Sequence, residues 1–399
     1  MRRRSLAMGV AAALMAVTGC AFAQQGAPAG PAARWSEASA RLGFDLLGQP
    51  AKAKAPPNPA VSPASLAAAL SLLDIGADAP FRQALRTVLR LDDAPSDGLA
   101  ALRGTLAPLL AGGGSGPLSG VGAVYFDPKS EPLPAAIELL RKAGAQAEVK
   151  DLSDPATVAA INALVKDRTG GLIPGILDAP LTKGGLVVLD ALHFKDDWQT
   201  AFDPSRTTRT DFHPAGGRPV KVAMMQGREE ALPVRREGRF LAVALPYRTK
   251  DYSLILITTT DGPARLADFA PVAGWLSGEG FADKYVTVAL PRFTIRAGGD
   301  LLAGLDDRGL KPARLSPTAL SGFSSRPQAI DRIVQKVVIA VDEKGTEAAA
   351  ATAITTTRSI AGPPPLAFVA DKPFLFALHD AASGQTLIEG YVGDPSKAK

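Results

Sequence analysis

Few side chains in this 399-residue chain combine a reactive type with a spacing that chemistry can use. The three histidines, His193, His213 and His379, are scattered without the short intervals that gather ligands on a metal. HExxH, GxSxG and the phosphate-cradling GxxxxGK followed by Ser or Thr are absent, so zinc hydrolysis, a nucleophile elbow and nucleotide binding lack their usual signatures. His193 lies in an apolar run and reads as a core histidine. No metal and no cofactor is expected, and the chain reads as something other than an enzyme. What the residue types do offer is a segment able to move. Asp342–Arg358, DEKGTEAAAATAITTTR, opens on a charged turn, continues through small uncharged residues and ends in a lone arginine.

Gly345 lacks a Cβ and can reach backbone angles denied to other residues, as a hinge requires. Thr346, Ala348, Ala350 and Thr352 alternate, so in an extended strand they share one face and could slide under packed neighbours without overfilling a core. The same letters favour a helix, because EAAAAT is strong helix-forming sequence. On these residues alone both readings stand. The flanks, KVVIAV upstream at Lys336–Val341 and FVADKPFLFAL downstream at Phe368–Leu378, look like buried sheet, and a loop of small side chains between strands could itself become a strand.

The elements that must position this segment follow from hydrophobic periodicity. Helices are predicted at Trp35–Leu47, Pro63–Ile75, Phe81–Leu91, Leu99–Leu110, Leu133–Ala143 and Pro155–Lys166. Strands are predicted at Gly122–Phe126, Gly185–Leu192, Leu241–Leu245, Tyr252–Thr259, Tyr285–Pro291, Val334–Val341 and Pro373–Leu378. Helices followed by strands without regular alternation mean an α+β fold. With 46% hydrophobic residues the chain can build a sizeable core, and the lack of a long linker favours one large domain.

In the order in which they occur, the motifs resemble those of the serpin family, of a bacterial type with an N-terminal export signal. Glu343-Lys344-Gly345-Thr346-Glu347-Ala348-Ala349-Ala350-Ala351-Thr352 is similar to the family's hinge, an acidic residue, any residue, then GTEAAAAT. VSPASLAAALSLLDIGA at Val61–Ala77 resembles the buried helix beneath the main sheet, INALVKDRTGGLI at Ile161–Ile173 resembles INxWVxxxTxGxI, and DALHFKDDWQTAF at Asp190–Phe202 resembles NAIYFKGxWxxxF. Thr207 and Phe212, Met224–Met225, LPY at Leu245–Tyr247, LPRF at Leu290–Phe293, ADKPFLF at Ala370–Phe376 and GYVGDP at Gly390–Pro395 continue the series from about Trp35 to Pro395. One such motif would be weak; the ordered set is specific.

That resemblance implies a serpin fold, with a large mixed central sheet, smaller sheets and an exposed reactive-centre loop near the C-terminus, about residues 343–365. It implies a suicide substrate: a target serine protease, or a cysteine protease, attacks the bait residue, and the cleaved loop inserts as a central strand and traps the acyl-enzyme as a covalent complex. Counting from Glu343 in the family register puts the bait at Ser359, and one residue fewer puts it at Arg358, followed by Ser359 and Ile360. Arg358 suits a trypsin-like target with a carboxylate in its specificity pocket, and Ser359 an elastase- or subtilisin-like one. Asn58, Ser62, Ser65, Asp190 and Gln335 fall where the family's sheet-opening cluster lies, with Trp198 at the top of the sheet. Gln335 stands where a His is frequent and Asp190 where an Asn is common. A Gln can both donate and accept, whereas an ionised Asp beneath a sheet is costly without good hydrogen bonds.

Charge narrows the partners. The formal net charge is +5, but Arg2, Arg3 and Arg4 precede an apolar stretch, Leu6–Val17, that is typical of a secretory signal, and without them 41 basic residues face 39 acidic ones. Nucleic acid is therefore not an expected partner. Residues 1–23 read as the export signal and 24–34 as a flexible linker, with a single domain over 35–399. Val17-Thr18-Gly19-Cys20 resembles a lipobox in which Cys20 is lipidated, while Ala21-Phe22-Ala23 offers cleavage before Gln24. The expected location is extracytoplasmic, either secreted or periplasmic, or anchored in an outer membrane through Cys20. As the one cysteine, Cys20 leaves the domain without internal disulfides, and a monomer is expected. Arg82, Arg86 and Arg90 are spaced to stack on one helix face, which reads as solvated, with a polyanion site as the other reading. Two other functional classes are a non-inhibitory serpin acting as a binding protein and an envelope hydrolase. The first would be marked by charged, bulky or Pro residues in the hinge, which carries only Glu347.

Overall fold

The computed structural model describes residues 31–48, 56–92, 94–95, 97–111, 116–181, 184–346 and 365–398. Its longer helices are α1 (Pro31–Leu47), α2 (Pro63–Leu73), α3 (Ala79–Val88), α4 (Gly98–Leu110), α5 (Pro134–Lys142) and α6 (Pro155–Arg168). Local chemistry starts several of them. Ser62 caps α2 by accepting the Ser65 N–H at 3.2 Å, Asp78 caps α3 through the Phe81 N–H at 2.9 Å, and Asp154 caps α6 through the Ala156 N–H at 2.9 Å. Pro63 and Pro155 follow their caps at the first helical position, where a missing N–H costs nothing. Every residue of α2 is buried. A helix apolar all round must lie between other elements, and α2 packs against α4 and against strands of both sheets.

The strands are β1 (Ala60–Val61), β2 (Leu118–Phe126), β3 (Gln146–Val149), β4 (Leu186–Phe194), β5 (Asp196–Asp197), β6 (Thr208–Phe212), β7 (Val220–Glu237), β8 (Phe240–Pro246), β9 (Tyr252–Thr259), β10 (Ala282–Pro291), β11 (Phe293–Asp300), β12 (Ile330–Val341), β13 (Gly345–Thr346), β14 (Leu366–Val369), β15 (Phe374–Asp380) and β16 (Gln385–Val392). Nine form one sheet in the order β1-β16-β15-β9-β8-β7-β10-β14, with β6 beside β7. The other seven form a mixed sheet in which β3, β2, β4, β12 and β11 lie side by side and β13 and β5 continue one end. In that sheet β2–β4 and β11–β12 are antiparallel, while β4 and β12 are parallel.

All nine residues of β4 are buried, so both faces of the seven-stranded sheet are covered. Leu186, Val188, Leu192 and Phe194 face the main core with α2, whereas Val187, Leu189 and Ala191 face a second cluster containing Val158, Ile161 and Val165 of α6. Asp190 therefore lies on the α2 face, between Val188 and Leu192.

The predicted α+β class and its main elements are present, with three differences. The helix expected over Phe81–Leu91 ends at Val88, and Arg90 adopts φ 56°, so the arginine stack is broken. Arg86 is buried and donates to the carbonyls of Pro95 and Ala94, Arg82 pairs with Asp74 at 2.6 Å, and Arg90 pairs with Asp45 at 2.5 Å. These side chains hold the local turn together and do not form one solvated face. Several strands lie outside the predicted ones, among them β7, which carries Arg and Glu in its middle, and β11, which contains two adjacent glycines.

Candidate functional site

The site is the junction where Asp342–Thr346 leaves β12 and turns back along it. In the β4–β12 seam the register partners run from Leu186 opposite Ile330, with an irregularity before Arg332, to His193 opposite Val338, and Asp190 lies opposite Gln335. Beyond Phe194 the β4 line continues as β5, and there β13 lies between it and β12. Gly345 pairs with Asp197, Thr346 with Asp196 and Val341 with Thr346, all antiparallel. Two residues of the predicted hinge are thus already a strand between the two halves of the seam.

Each residue of the turn is held by a distinct contact. The Asp342 carboxylate accepts the N–H groups of Lys344 at 2.8 Å and Gly345 at 3.3 Å, and the Asp342 N–H donates to the Gly345 carbonyl at 2.9 Å. Trp198 donates through Nε1 to the Asp342 carbonyl at 2.9 Å and through its main chain to the Lys344 carbonyl at 2.7 Å, while the Phe202 N–H reaches the Glu343 carbonyl at 2.8 Å. A Cβ on Gly345 would come within 2.1 Å of the Asp196 carbonyl oxygen. Its φ is not positive, so close backbone approach, and not an unusual backbone angle, is what requires glycine here. Thr346 is 0% exposed and shares a 2.6 Å hydrogen bond with the Tyr247 hydroxyl, and the Tyr247 ring stacks on Trp198 with centroids 4.5 Å apart.

Glu343 anchors the base of the loop. Burial pushes its carboxyl up, but the Arg292 guanidinium, which donates from Nε at 2.7 and 2.6 Å and also through Nη2, and the Thr207 hydroxyl outweigh it and hold the group below the usual carboxylate range. Arg292 comes from the LPRF motif and Thr207 from the TxxxxF position, so two motifs without an assigned role meet on this carboxylate. Arg228, which sequence reading did not single out, is fully buried over Trp198 and Phe202 and paired with Glu230. No spacing signalled it: it sits in a charged run whose strand character comes from its pairing with β10.

The predicted sheet-opening cluster is only partly one cluster. Gln335 donates to the Asp190 carboxyl at 2.8 Å and to the Ser62 carbonyl at 2.9 Å, and accepts the Ser62 N–H at 2.8 Å. Ser62 also donates to the Leu387 carbonyl. Burial pushes the Asp190 carboxyl up to about 7, against the lowering effect of Gln335 and Ser65. Asn58 is elsewhere: it accepts the Gly393 and Asp394 N–H groups at 3.0 Å each and donates to the Asp394 carbonyl at 2.9 Å, fastening the C-terminal strand. Trp198 belongs to the hinge, eight residues after Asp190 in the chain and beyond the ends of both β4 and β5. Glu347, Ala348, Ala349, Ala350, Ala351, Thr352, Arg358, Ser359, Ile360 and Cys20 lie outside the described residues.

Among the described residues no group of three or more His, Cys, Asp and Glu side chains could hold a metal ion, and no helix is long and apolar enough to cross a membrane. His193 is buried with its Nδ1 3.1 Å from the Ser119 hydroxyl, as expected of a core histidine. The junction itself suits strand addition. A chain continuing from Thr346 between β4 and β12 would replace one parallel ladder by two antiparallel ones, the slightly more stable kind per residue.

The family model described as Serpin (serine protease inhibitor) matches residues 37–395. Glia-derived nexin of Mus musculus is 27% identical over 385 residues, covering 90% of this chain and 93% of its own. Serpin-Z2B of Triticum aestivum is 31% identical over 368 residues, covering 85% and 90%. Among solved structures, that of Serpin48 from Tenebrio molitor aligns with a TM-score of 0.77 at 25% identity, covering 91% of this chain and 98% of that one.

Proposed function

Since the chain belongs to the serpin family, whose members are in general protease inhibitors and not enzymes, we propose that it is a suicide-substrate inhibitor of serine or cysteine proteases acting outside the cytoplasm. The protease nucleophile attacks the carbonyl of the bait residue, Arg358 or Ser359. An ester or thioester forms, the peptide bond breaks, and the new amine leaves with a proton from the protease base. The freed segment then extends β13 down the β4–β12 seam, as in other cases of strand insertion. The observation that carries this reading is the place of β13 between the two strands, Gly345 and Thr346 pairing with β5 and Thr346 also with Val341 of β12.

The driving force is bounded by the ladder. About ten new hydrogen bonds at ~0.5–1.5 kcal/mol net each give roughly 5–15 kcal/mol before side-chain burial. The loop-out state is then a kinetic trap, held because the seam opens slowly. Arg358 favours a trypsin-like target. The location rests on the export signal read in residues 1–23, with the protein either free after cleavage before Gln24 or anchored through a lipidated Cys20. Incubating the purified protein with trypsin, elastase and subtilisin tests the reading. An adduct that survives hot SDS supports it, and loop cleavage without adduct indicates a non-inhibitory member instead.

A further inference from the structure

Asp190 and Gln335 are register partners on the two strands that must part, and their side chains are bonded across the seam at 2.8 Å. Gln335 is also clamped by both main-chain groups of Ser62, so its amide stays with β12 and α2 when β4 moves away. A strand placed between β4 and β12 sets them two spacings apart, about 9.6 Å, beyond reach of that bond. Asp190, 6% exposed among core aliphatics, therefore loses its partner at the moment the seam opens and meets water or the new strand.

We propose that Asp190 is a proton-operated latch on this seam: its neutral carboxyl keeps β4 and β12 together, and its ionised carboxylate releases them. The consequence for inhibition rests on the function proposed above. Among Val188 and Leu192, the Gln335 amide and the Ser65 hydroxyl do not offset the burial of an anion, whereas a carboxylic acid tolerates the same surroundings. Opening hydrates the group and favours the anion.

The groups that face Asp190 are uncharged. α2 presents Ser62 and Ser65, β2 presents Gly122 opposite it, and β12 presents Gln335, with Lys336 turned to the other face towards Asp178. β16 contributes the Leu387 carbonyl to Ser62 and carries Glu389, a buried carboxyl that burial also raises well above its ordinary value. Asp190 itself is raised to about 7 by burial. The sign follows. Closure is most stable below the opened carboxyl's ordinary value of about 4, where both states are protonated, and weakens as pH rises from there to about 7, above which it is constant. With full hydration in the open state, opening gains about tenfold per pH unit within that window.

Hydrogen exchange of the β4 and β12 amides, followed by mass spectrometry on the full chain without protease between about pH 5 and pH 7.5, tests this. Asp190→Asn keeps an amide bond to Gln335 without titrating, and its rate at each pH corrects for the chemistry of exchange. The wild-type opening, divided by that of Asp190→Asn, is expected to rise at least about tenfold across the range. A constant ratio overturns the proposal. Should Asp190→Asn not fold, Asp190→Ser provides a second non-titrating reference. Because exchange needs no protease, a missing adduct would refute the inhibitory function and leave the latch standing, while a constant ratio would remove the latch and leave the inhibitor.

Discussion

Replacing Thr346 with arginine attacks the first residue pair of the inserting strand. The wild-type side chain is 0% exposed, its hydroxyl bonded at 2.6 Å to Tyr247, whose ring lies on Trp198. Arginine forfeits that bond, about 1 kcal/mol, and leaves the Tyr247 hydroxyl unpaired, about 1–3 kcal/mol. A guanidinium kept in the same place must be stripped of water close to the Arg228 charge that already stacks on Trp198, which costs several kcal/mol even with Asp196 opposite position 346 in register. The total, on the order of 5 kcal/mol or more, matches the lower end of the ladder gain of roughly 5–15 kcal/mol. Position 346 is then expelled and insertion cannot begin before the acyl-enzyme hydrolyses. Each ~1.4 kcal/mol lost from insertion changes the partition tenfold. Titrating a protease that forms adducts with the wild type should show at least about ten molecules of Thr346→Arg cleaved per protease blocked. Adducts stable in hot SDS at wild-type stoichiometry would refute the reasoning.

Other expectations follow from single groups. Arg292→Ala leaves Glu343 buried with Thr207 alone; because Arg292 is 48% exposed, the loss is set at about 1–2 kcal/mol, read from urea midpoints at neutral pH. Glu343 is held below its usual range, so its contribution is present above the ordinary carboxylate value and disappears as pH falls through the lowered one; the gap between Arg292→Ala and wild type should shrink in acid. Burial pushes His379 down to about 4, so stability is complete above the ordinary value near 6.5 and declines as pH falls towards 4, by on the order of 3 kcal/mol. His379→Phe, if it folds, should flatten that decline in urea titrations, and an unchanged slope would count against a neutral buried imidazole. Glu389 is 0% exposed with neither carboxyl oxygen hydrogen-bonded, and its folded value is raised by burial, so its cost grows as pH rises. Glu389→Met should therefore raise Tm more at alkaline than at acid pH. Gly345→Ala places a Cβ 2.1 Å from the Asp196 carbonyl and should weaken the start of the strand, lowering adduct yield.

Sequence reading reached furthest where short-range pattern and physics coincide. The uninterrupted small and apolar run of α2 and the apolar run of the all-buried β4 each point to their element without knowledge of the rest. It failed where a side chain's partner lies far along the chain. Asn58 precedes Ser62 by four residues, yet its amide serves Gly393 and Asp394, over 330 residues away. Arg292 and Thr207 are plain motif letters until the fold brings both to Glu343, from 51 and 136 residues away. Gly345 is marked in the sequence as a hinge, and the pairing with β5 adds a second requirement there, that a Cβ has no room. The strand β7 was hidden by its charges, because Glu229 and Ala231 face outward while Arg228 is buried against aromatic rings.

If the chain beyond Thr346 becomes a strand between β4 and β12, a crystal structure of the protein cleaved at its bait bond will show a new antiparallel strand in the seam, with Asp190 and Gln335 about two strand spacings apart, near 9.6 Å. Their side-chain bond will then be gone. Finding β4 and β12 still paired with Asp190 opposite Gln335 after cleavage would contradict it.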